Sequence, residues 1–389
     1  MGLSKFLKGL TVLSVEQAVS LPYCTWRLAV DGASVIRVES LQGDPNRKVG
    51  KNILNEDLMN SYFLSVNSGK KSITLNLKTE SGQQIIKDLI QKLDVDIFTN
   101  NQIPANCKKL GIDYEQIKAI KNDIIWVNVS GFGPERSEAA YDPMIQAYSG
   151  IMDTNGVPES EPLKFGISIA DIEAANQAYC EIMKALFHRE ITGEGSKIYI
   201  SMLECCMSLL ALHIPMASMG LFMSKSGNAH PIFSPVGVYK TADGYVSIAV
   251  GNDAQWQGIV KSQGFESLNK PEYKTNNQRK TNDKQLNFEL KAILGKMKTA
   301  HVLTLFRNAR IPISQVNLIG NVLRDQYLSS KLLQIKDPKT GFSVSLAPPP
   351  VPCENEVSLI FPPRFGEHNK EIYGRWGYDV GKLKEEGII

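Results

Sequence analysis

The sequence predicts an α/β protein, with a doubly wound parallel sheet in a large first domain and a smaller α+β domain beyond it. Across residues 10–201, short apolar runs alternate with stretches whose apolar residues recur at helical spacing, as parallel strands joined by crossover helices require. Near residue 220 that pattern gives way to chain breakers and then to a hairpin signal. The 389 residues, 43% of them hydrophobic, are enough for more than one core.

The elements follow in order. Residues 10–15 read as a strand, 23–30 as a helix and 33–39 as a second strand ending in the acid Glu39, which makes one βαβ unit. Residues 72–77 are strand-like, and 79–92 set Ile85, Ile86, Leu89 and Ile90 on one helical face before a strand at 95–98. A helix at 114–120 and a strand at 123–129 lead to the turn Gly131-Phe132-Gly133-Pro134. Residues 165–190 form a long amphipathic helix, followed by a strand at 197–201 and an apolar helix over 202–216. Ser224, Gly227, Asn228, Pro231 and Pro235 then break the pattern. Strands at 236–239 and 245–250 flank Thr241-Ala242-Asp243-Gly244, where Gly244 is expected to supply a positive φ. The expected organisation is a large domain over 1–200, a linker helix over 201–224, a small α+β domain over 225–315, and a segment over 316–389 that returns to the large domain. The tail holds Ala347-Pro348-Pro349-Pro350-Val351-Pro352, read as an extended spacer before a last short helix.

Composition excludes several functions. Lys plus Arg (43) nearly balances Asp plus Glu (40), and no basic run interleaves with aromatics, so no nucleic-acid partner is expected. No run approaches the ~20 apolar residues of a membrane span. The six cysteines form no CxxC pair or framework spacing, which fits reduced thiols in a cytoplasmic protein without a membrane partner. The turn after the first strand, Glu16-Gln17-Ala18-Val19-Ser20-Leu21-Pro22, has no glycine to admit a pyrophosphate, so a nicotinamide cofactor is not expected even though Glu39 stands where a ribose ligand could. The five histidines are scattered singly and no metal motif occurs, so no metal is expected. His188 reads as a solvated base near a helix end, His213 as a core histidine, and Cys205-Cys206 as small apolar packing.

One acid stands out. Asp171 sits at the mouth of the 165–190 helix after the run Gly166-Ile167-Ser168-Ile169-Ala170. Aspartate is a preferred helix N-cap, worth about 0.5–2 kcal/mol over alanine, so a capping role and a chemical role both stand at this point.

The stretches 10–25, 31–39 and Gly43-Asp44-Pro45, together with Asn67-Ser68-Gly69-Lys70-Lys71-Ser72, Ser130-Gly131-Phe132-Gly133, Tyr141-Asp142, Thr192-Gly193-Glu194-Gly195 and Gly366-Glu367-His368, carry a resemblance that covers essentially the whole chain. In that order they resemble family III (CaiB/BaiF) CoA-transferases, the group of formyl-CoA and carnitine CoA-transferases. The resemblance implies a Rossmann-like frame that takes coenzyme A or acyl-CoA as substrate, an intertwined homodimer, and Asp171 as the nucleophile that passes through an acyl anhydride and an aspartyl-CoA thioester. A carboxylate suits such an exchange, because a covalent intermediate splits one hard step into easier ones while keeping the acyl group from water. Backbone amides at the helix mouth are expected to favour the ionised form. Gln17, Ala18, Val19 and Ser20 are implied to line the thioester and pantetheine; Lys71, Asn101, Gln102 and Lys109 to contact the nucleotide or pantetheine; and Asp142 to be the acidic partner near the reaction centre. Lys70 is read either as a CoA-lining residue or as a solvated surface lysine.

Two departures from the family pattern stand out. Ser40 follows Glu39 where an arginine is usual, and His230-Pro231-Ile232-Phe233-Ser234-Pro235 stands in place of a glycine-rich flap, so oxalate and formyl-CoA do not carry over as substrates. Small dicarboxylates such as succinate, itaconate or mesaconate are the implied acceptors. The alternatives are an acyl-CoA racemase of the same fold and a non-catalytic CoA-binding protein. Racemisation needs a second acid/base where Tyr141 stands, and a phenol is a poor base at neutral pH.

Overall fold

The structure is a computed structural model that describes residues 6–349 and 359–389. The chain divides into two compact units, one made of the residues up to Ile151 with Lys164–Ala211 and Lys331–Ile389, the other of Met152–Leu163 and Leu212–Ser330.

Six strands form the sheet of the first unit: β1 (Thr11–Val15), β2 (Ser34–Glu39), β3 (Lys70–Thr74), β4 (Ile97–Asn100), β5 (Ile125–Ser130) and β6 (Ser196–Ser201). All pair in parallel, in the order β3-β2-β1-β4-β5-β6. Successive side chains serve opposite faces. Val12, Val35, Ile97 and Val127 enter one core while Leu13, Ile36, Phe98 and Trp126 enter the other, which explains why the strands read as continuous apolar runs.

Four helices matter for the site: α1 (Ser20–Val30), α2 (Glu80–Lys92), α3 (Asp142–Ser149) and α4 (Ile169–Thr192). Ile85, Ile86, Leu89 and Ile90 of α2 cover the second face of the sheet. On the first face, Leu21, Cys24 and Leu28 of α1 share a core with Ala170, Ala174, Ala175 and Ala178 of α4. Those alanines let the α4 backbone come close, and they bring its first turn to the amino end of α1. The 24-residue α4 ends where Gly193 turns left-handed at φ 73° and returns its amide to the Arg189 carbonyl at 2.8 Å. Two residues on, a Cβ at Gly195 would stand 2.3 Å from the Ile124 carbonyl oxygen. Gly195→Ala is therefore expected to cost about 1–3 kcal/mol, read as a lower urea midpoint, because the obstacle is backbone.

The expected strand at 72–77 starts and ends earlier, as β3. Its outer edge is covered by the terminal segment: the Asn369 carboxamide accepts the Thr74 amide at 2.9 Å, the Tyr373 hydroxyl donates to the Thr74 carbonyl at 2.8 Å, and the Asn76 amide reaches the Ile388 carbonyl at 2.8 Å. The Leu75 amide makes the last bond to β2, to the Glu39 carbonyl at 2.8 Å, and Asn76 and Leu77 then leave the ladder to wall the sheet's carboxyl end.

The second unit holds an antiparallel sheet of β7 (Val236–Lys240), β8 (Tyr245–Ala249) and β9 (Ile313–Gln315), in that order, with helices Asp253–Val260, Asp283–Leu294 and Thr299–Asn308 packing Trp256, Leu286, Leu290 and Phe306 into its core. Two expectations are corrected here. Gly244 is not among the residues with positive φ; an added Cβ there would stand 3.1 Å from the Thr299 hydroxyl, so close approach explains the glycine. The helix expected over 202–216 is two helices, Met202–Ser208 and His213–Ser218, because Pro215 is tolerated in a first turn but not in a helix interior. The proline-rich stretch 347–352 lies partly outside the described residues.

Candidate active site

The carboxyl ends of the strands gather the polar residues of the first unit. In this strand order the chain reverses its direction of winding between β1 and β4, the position at which open α/β sheets bind ligands. The turn from β1 into α1, Gln17-Ala18-Val19, crosses that position. Beside it lies a cavity of about 240 Å³ walled by Val15, Val38, Leu41, Leu75, Leu77 and Leu110, with Gln17, Ser40, Asn76, Lys78 and Gln102 supplying polar groups. Apolar walls with a few polar groups suit a flat heteroaromatic group.

Beneath the turn lies a buried ionic cluster. Lys70, buried, donates to Glu16 at 2.8 Å, to the Pro22 carbonyl at 2.7 Å and to Asn67 at 3.0 Å. Arg37 pairs with Asp44 at 2.7 Å, and Arg47 grips Glu39 through two contacts of 2.7 Å. The three acids and three bases balance. Lys70 and Arg37 hold the Glu16 carboxyl below the usual carboxylate range despite its burial, and the arginines hold Glu39 at about 2. Burial pulls Lys70 down to about 8 against the attraction of Glu16, which leaves both ionised at neutral pH. The Glu39 oxygens are taken by Arg47, Ser72 and the Asp44 amide, so it is not the free ribose ligand its position at a strand end suggests.

Asp171 stands at the other end of the same turn. Helix α4 begins at Ile169, so Asp171 lies inside the first turn and is not its cap. The cap comes from another helix: the Asp142 carboxylate accepts the Ala170 amide at 2.8 Å and the Asp171 amide at 3.3 Å, and its second oxygen takes the Gln146 side chain at 2.6 Å. Asp142 does the capping work, which frees the Asp171 side chain. The mouth amides therefore do not reach the Asp171 carboxylate, contrary to expectation. The neighbour that favours its ionised form is Ser20, the first residue of α1. Burial first, and the neighbouring Asp142 charge second, push the Asp171 carboxyl up to about 7, against the opposing influence of Ser20.

The expected site residues are distributed unevenly. Gln17 and Gln102 line the cavity, Asp142 accepts the Asp171 amide, Ser20 opens α1 near Asp171, and Ala18 and Val19 form the turn before it. Asn101 is not turned to the cavity: it accepts the Gln17 amide at 3.1 Å and donates to the Gln17 carbonyl at 2.8 Å. Lys109 is exposed beside the cavity residue Leu110. Lys71 lies near the start of β3, away from the carboxyl ends, and pairs with Glu371. Lys70 is neither a cavity residue nor a solvated one. Among the described residues no group of His, Cys, Asp or Glu side chains could hold a metal ion.

Asp171 is thus a half-buried carboxyl raised toward neutrality, one turn away from a partly apolar cavity at the sheet's switch point. The family model for CoA-transferase family III matches residues 7–369. The chain belongs to CoA-transferase family III. This family III chain is 32% identical to the succinyl-CoA:glutarate CoA-transferase of Mus musculus over 398 residues, 99% of the chain and 90% of that protein. It is 33% identical to the acetyl-CoA:oxalate CoA-transferase of Acetobacter aceti over 78% of the chain and 79% of that protein. A solved CaiB/BaiF family protein from Brucella suis superposes with a TM-score of 0.85 at 30% identity, over 96% of the chain and 99% of that structure. The doubly wound frame and the smaller α+β unit are thus those of family III.

Sequence reasoning missed the cavity's apolar wall at Leu41, Leu75, Leu77 and Leu110, with Lys78 among the lining residues, because strand-end leucines read as core. It also missed Asp44 and Asn46, whose partners lie far away in the chain.

Proposed function

We propose that the protein moves CoA from an acyl-CoA donor to a small dicarboxylic acid through covalent intermediates on Asp171, as a cytoplasmic homodimer. The Asp171 oxygen attacks the thioester carbonyl and the C–S bond breaks, giving a mixed anhydride and CoA thiolate. The thiolate attacks the aspartyl carbonyl, releasing the donor acid and leaving an aspartyl-CoA thioester. The acceptor carboxylate then attacks that carbonyl and expels the thiolate, which takes the acceptor's acyl group and returns Asp171 as a carboxylate. One observation carries this reading: Asp171 is relieved of capping by Asp142 and raised to about 7 by burial and that neighbouring charge, so it is basic enough to attack and ionised enough to do so near neutral pH. The cavity beside Gln17 suits the adenine end of CoA.

Two relatives whose names pair a CoA thioester with glutarate or oxalate support a dicarboxylic acceptor. A panel of succinyl-, acetyl- and formyl-CoA donors against succinate, glutarate, mesaconate and oxalate is expected to give transfer to at least one diacid, with hydroxylamine inactivating the enzyme only when donor is present. Transfer that hydroxylamine leaves untouched would argue against an acyl-enzyme. Racemase chemistry is disfavoured because Tyr141 is 72% exposed and so poorly placed for an α-proton. Exposed Phe187 and Ile191, one turn apart on α4, support a dimer; light scattering at the monomer mass would oppose it.

The pH dependence follows from the sign of the Asp171 shift. Attack needs the ionised form, so kcat/KM is expected to rise with pH through a midpoint near 7 in a stopped assay. Asp142→Asn removes the like charge and is expected to move that midpoint down.

A further inference from the structure

The Gln17-Ala18 segment is held to an unusual degree. Ala18 adopts φ 64°, a left-handed conformation unfavourable for any residue with a Cβ. Strain of this kind persists only where surrounding contacts over-determine it. They do so here. All four backbone polar groups of Gln17 and Ala18 have a side-chain partner: Asn101 takes the Gln17 amide at 3.1 Å and serves its carbonyl at 2.8 Å, while the Asp44 carboxylate takes the Ala18 amide at 3.2 Å and the Asn46 carboxamide serves the Ala18 carbonyl at 2.8 Å. These partners come from both sides. Asn101 follows β4, and Asp44 and Asn46 follow β2, the two strands that flank β1. Asp44 is itself fixed, with its second oxygen on buried Arg37 at 2.7 Å and its first also accepting the Asn46 amide at 2.9 Å. The preceding residue, Glu16, is anchored by Lys70, Ser14 and Thr25 at 2.6–2.8 Å. Two residues after Ala18 comes Ser20, which opens α1, the helix whose Leu21 and Cys24 share a core with Ala170 and Ala174 on either side of Asp171.

We infer that Asp44, Asn46 and Asn101 are positioning residues, a two-sided clamp on Gln17-Ala18 that sets the amino end of α1 against the first turn of α4 and so fixes the surroundings of the Asp171 carboxylate. The inference rests on the reading of Asp171 as the nucleophile. Misaligning a reacting group by about 1 Å can cost about a hundredfold in rate, so backbone held in one geometry has a kinetic consequence beyond stability. The clamp acts from outside the reaction: none of its side chains bonds to Asp171, whose charged neighbour is Asp142 on α3.

The test uses Asn46→Ala, Asn101→Ala and the double variant, with donor acyl-CoA at saturation. The measured quantities are the rate of covalent adduct formation at Asp171, kcat and KM separately, the pH midpoint, and thermal stability as a check on folding. Asn101 is partly solvent-accessible, so its variant is expected to fold. Each single change is expected to slow adduct formation about tenfold, and the double to slow it more than the product of the singles, since either side alone still holds the turn. The pH midpoint is expected to move up as Ser20, which favours the ionised Asp171, shifts with the loosened turn, and KM is expected to change less than kcat. If folded variants form the adduct at the parent rate with the parent midpoint, the clamp is overturned while the nucleophile stands. If the parent itself forms no adduct at Asp171, the nucleophile reading falls, and the clamp with it.

Discussion

Replacing Asp171 with alanine or asparagine is expected to reduce CoA transfer by about 10⁴-fold or more, while leaving a folded protein. The size of the effect follows from the absence of a substitute. Asp142 lies beside Asp171, but its oxygens are occupied by the Ala170 and Asp171 amides and the Gln146 side chain. The nearby thiol Cys24 is buried and pushed up to about 12, so it is protonated at neutral pH. The asparagine variant makes a second, opposite prediction. Asp171 titrates at about 7 in the folded protein against an ordinary 3.8, so the stability linked to it is fully present below pH 3.8 and is lost as pH rises to about 7. Asp171→Asn removes that loss. Urea denaturation is expected to show it more stable than the parent at pH 8 by about 2 kcal/mol, after allowance for solvent screening of a partly exposed group, with the difference vanishing near pH 4. A variant that is inactive and also destabilised at pH 8 would instead mark Asp171 as a structural acid.

The second large effect is expected at Lys70. Its ammonium lies within the first unit's core and bridges Glu16, the Pro22 carbonyl and Asn67. Lys70→Met keeps the apolar stem but leaves Glu16 buried with Arg37 as its remaining charged partner, at 3.8 Å. Removing one member of a buried pair costs about 3–5 kcal/mol, because the remaining charge loses its compensation, so a large fall in the urea midpoint is expected. The double variant Lys70→Met with Glu16→Gln should recover much of it, since a neutral side chain can still bond to Ser14 and Thr25. A single variant as stable as the parent would show that the cluster does not hold the β1–α1 turn.

The sheet was legible in the sequence because both of its faces are buried. Val12 and Leu13, or Ile97 and Phe98, point opposite ways yet are both apolar, so the strands appear as runs, while α2 shows its one-sided face at Ile85, Ile86, Leu89 and Ile90. The three-residue β9 left no periodic signal, and the break between Ser208 and His213 was masked by continuous apolar character. Asp171 was legible by family resemblance and ambiguous by local chemistry, since an acid near a helix start looks like a cap. What resolves the ambiguity is Asp142, on a separate helix 28 positions before Ala170. Lys70 and Asn101 were read as possible ligand contacts from the family resemblance, and nothing local reveals that their partners lie 54 and 84 positions away. Polar residues buried at strand ends declare their roles only when the chain folds.

The central claim is that an oxygen of Asp171 becomes covalently bonded in the course of transfer. The most direct measurement is mass analysis of the peptide containing Asp171 after brief incubation with a donor acyl-CoA and acid quenching. The account predicts a CoA or acyl adduct on that residue, formed and discharged at rates that support turnover, and absent from Asp171→Asn. An unmodified Asp171 peptide in an enzyme that is transferring CoA would contradict it.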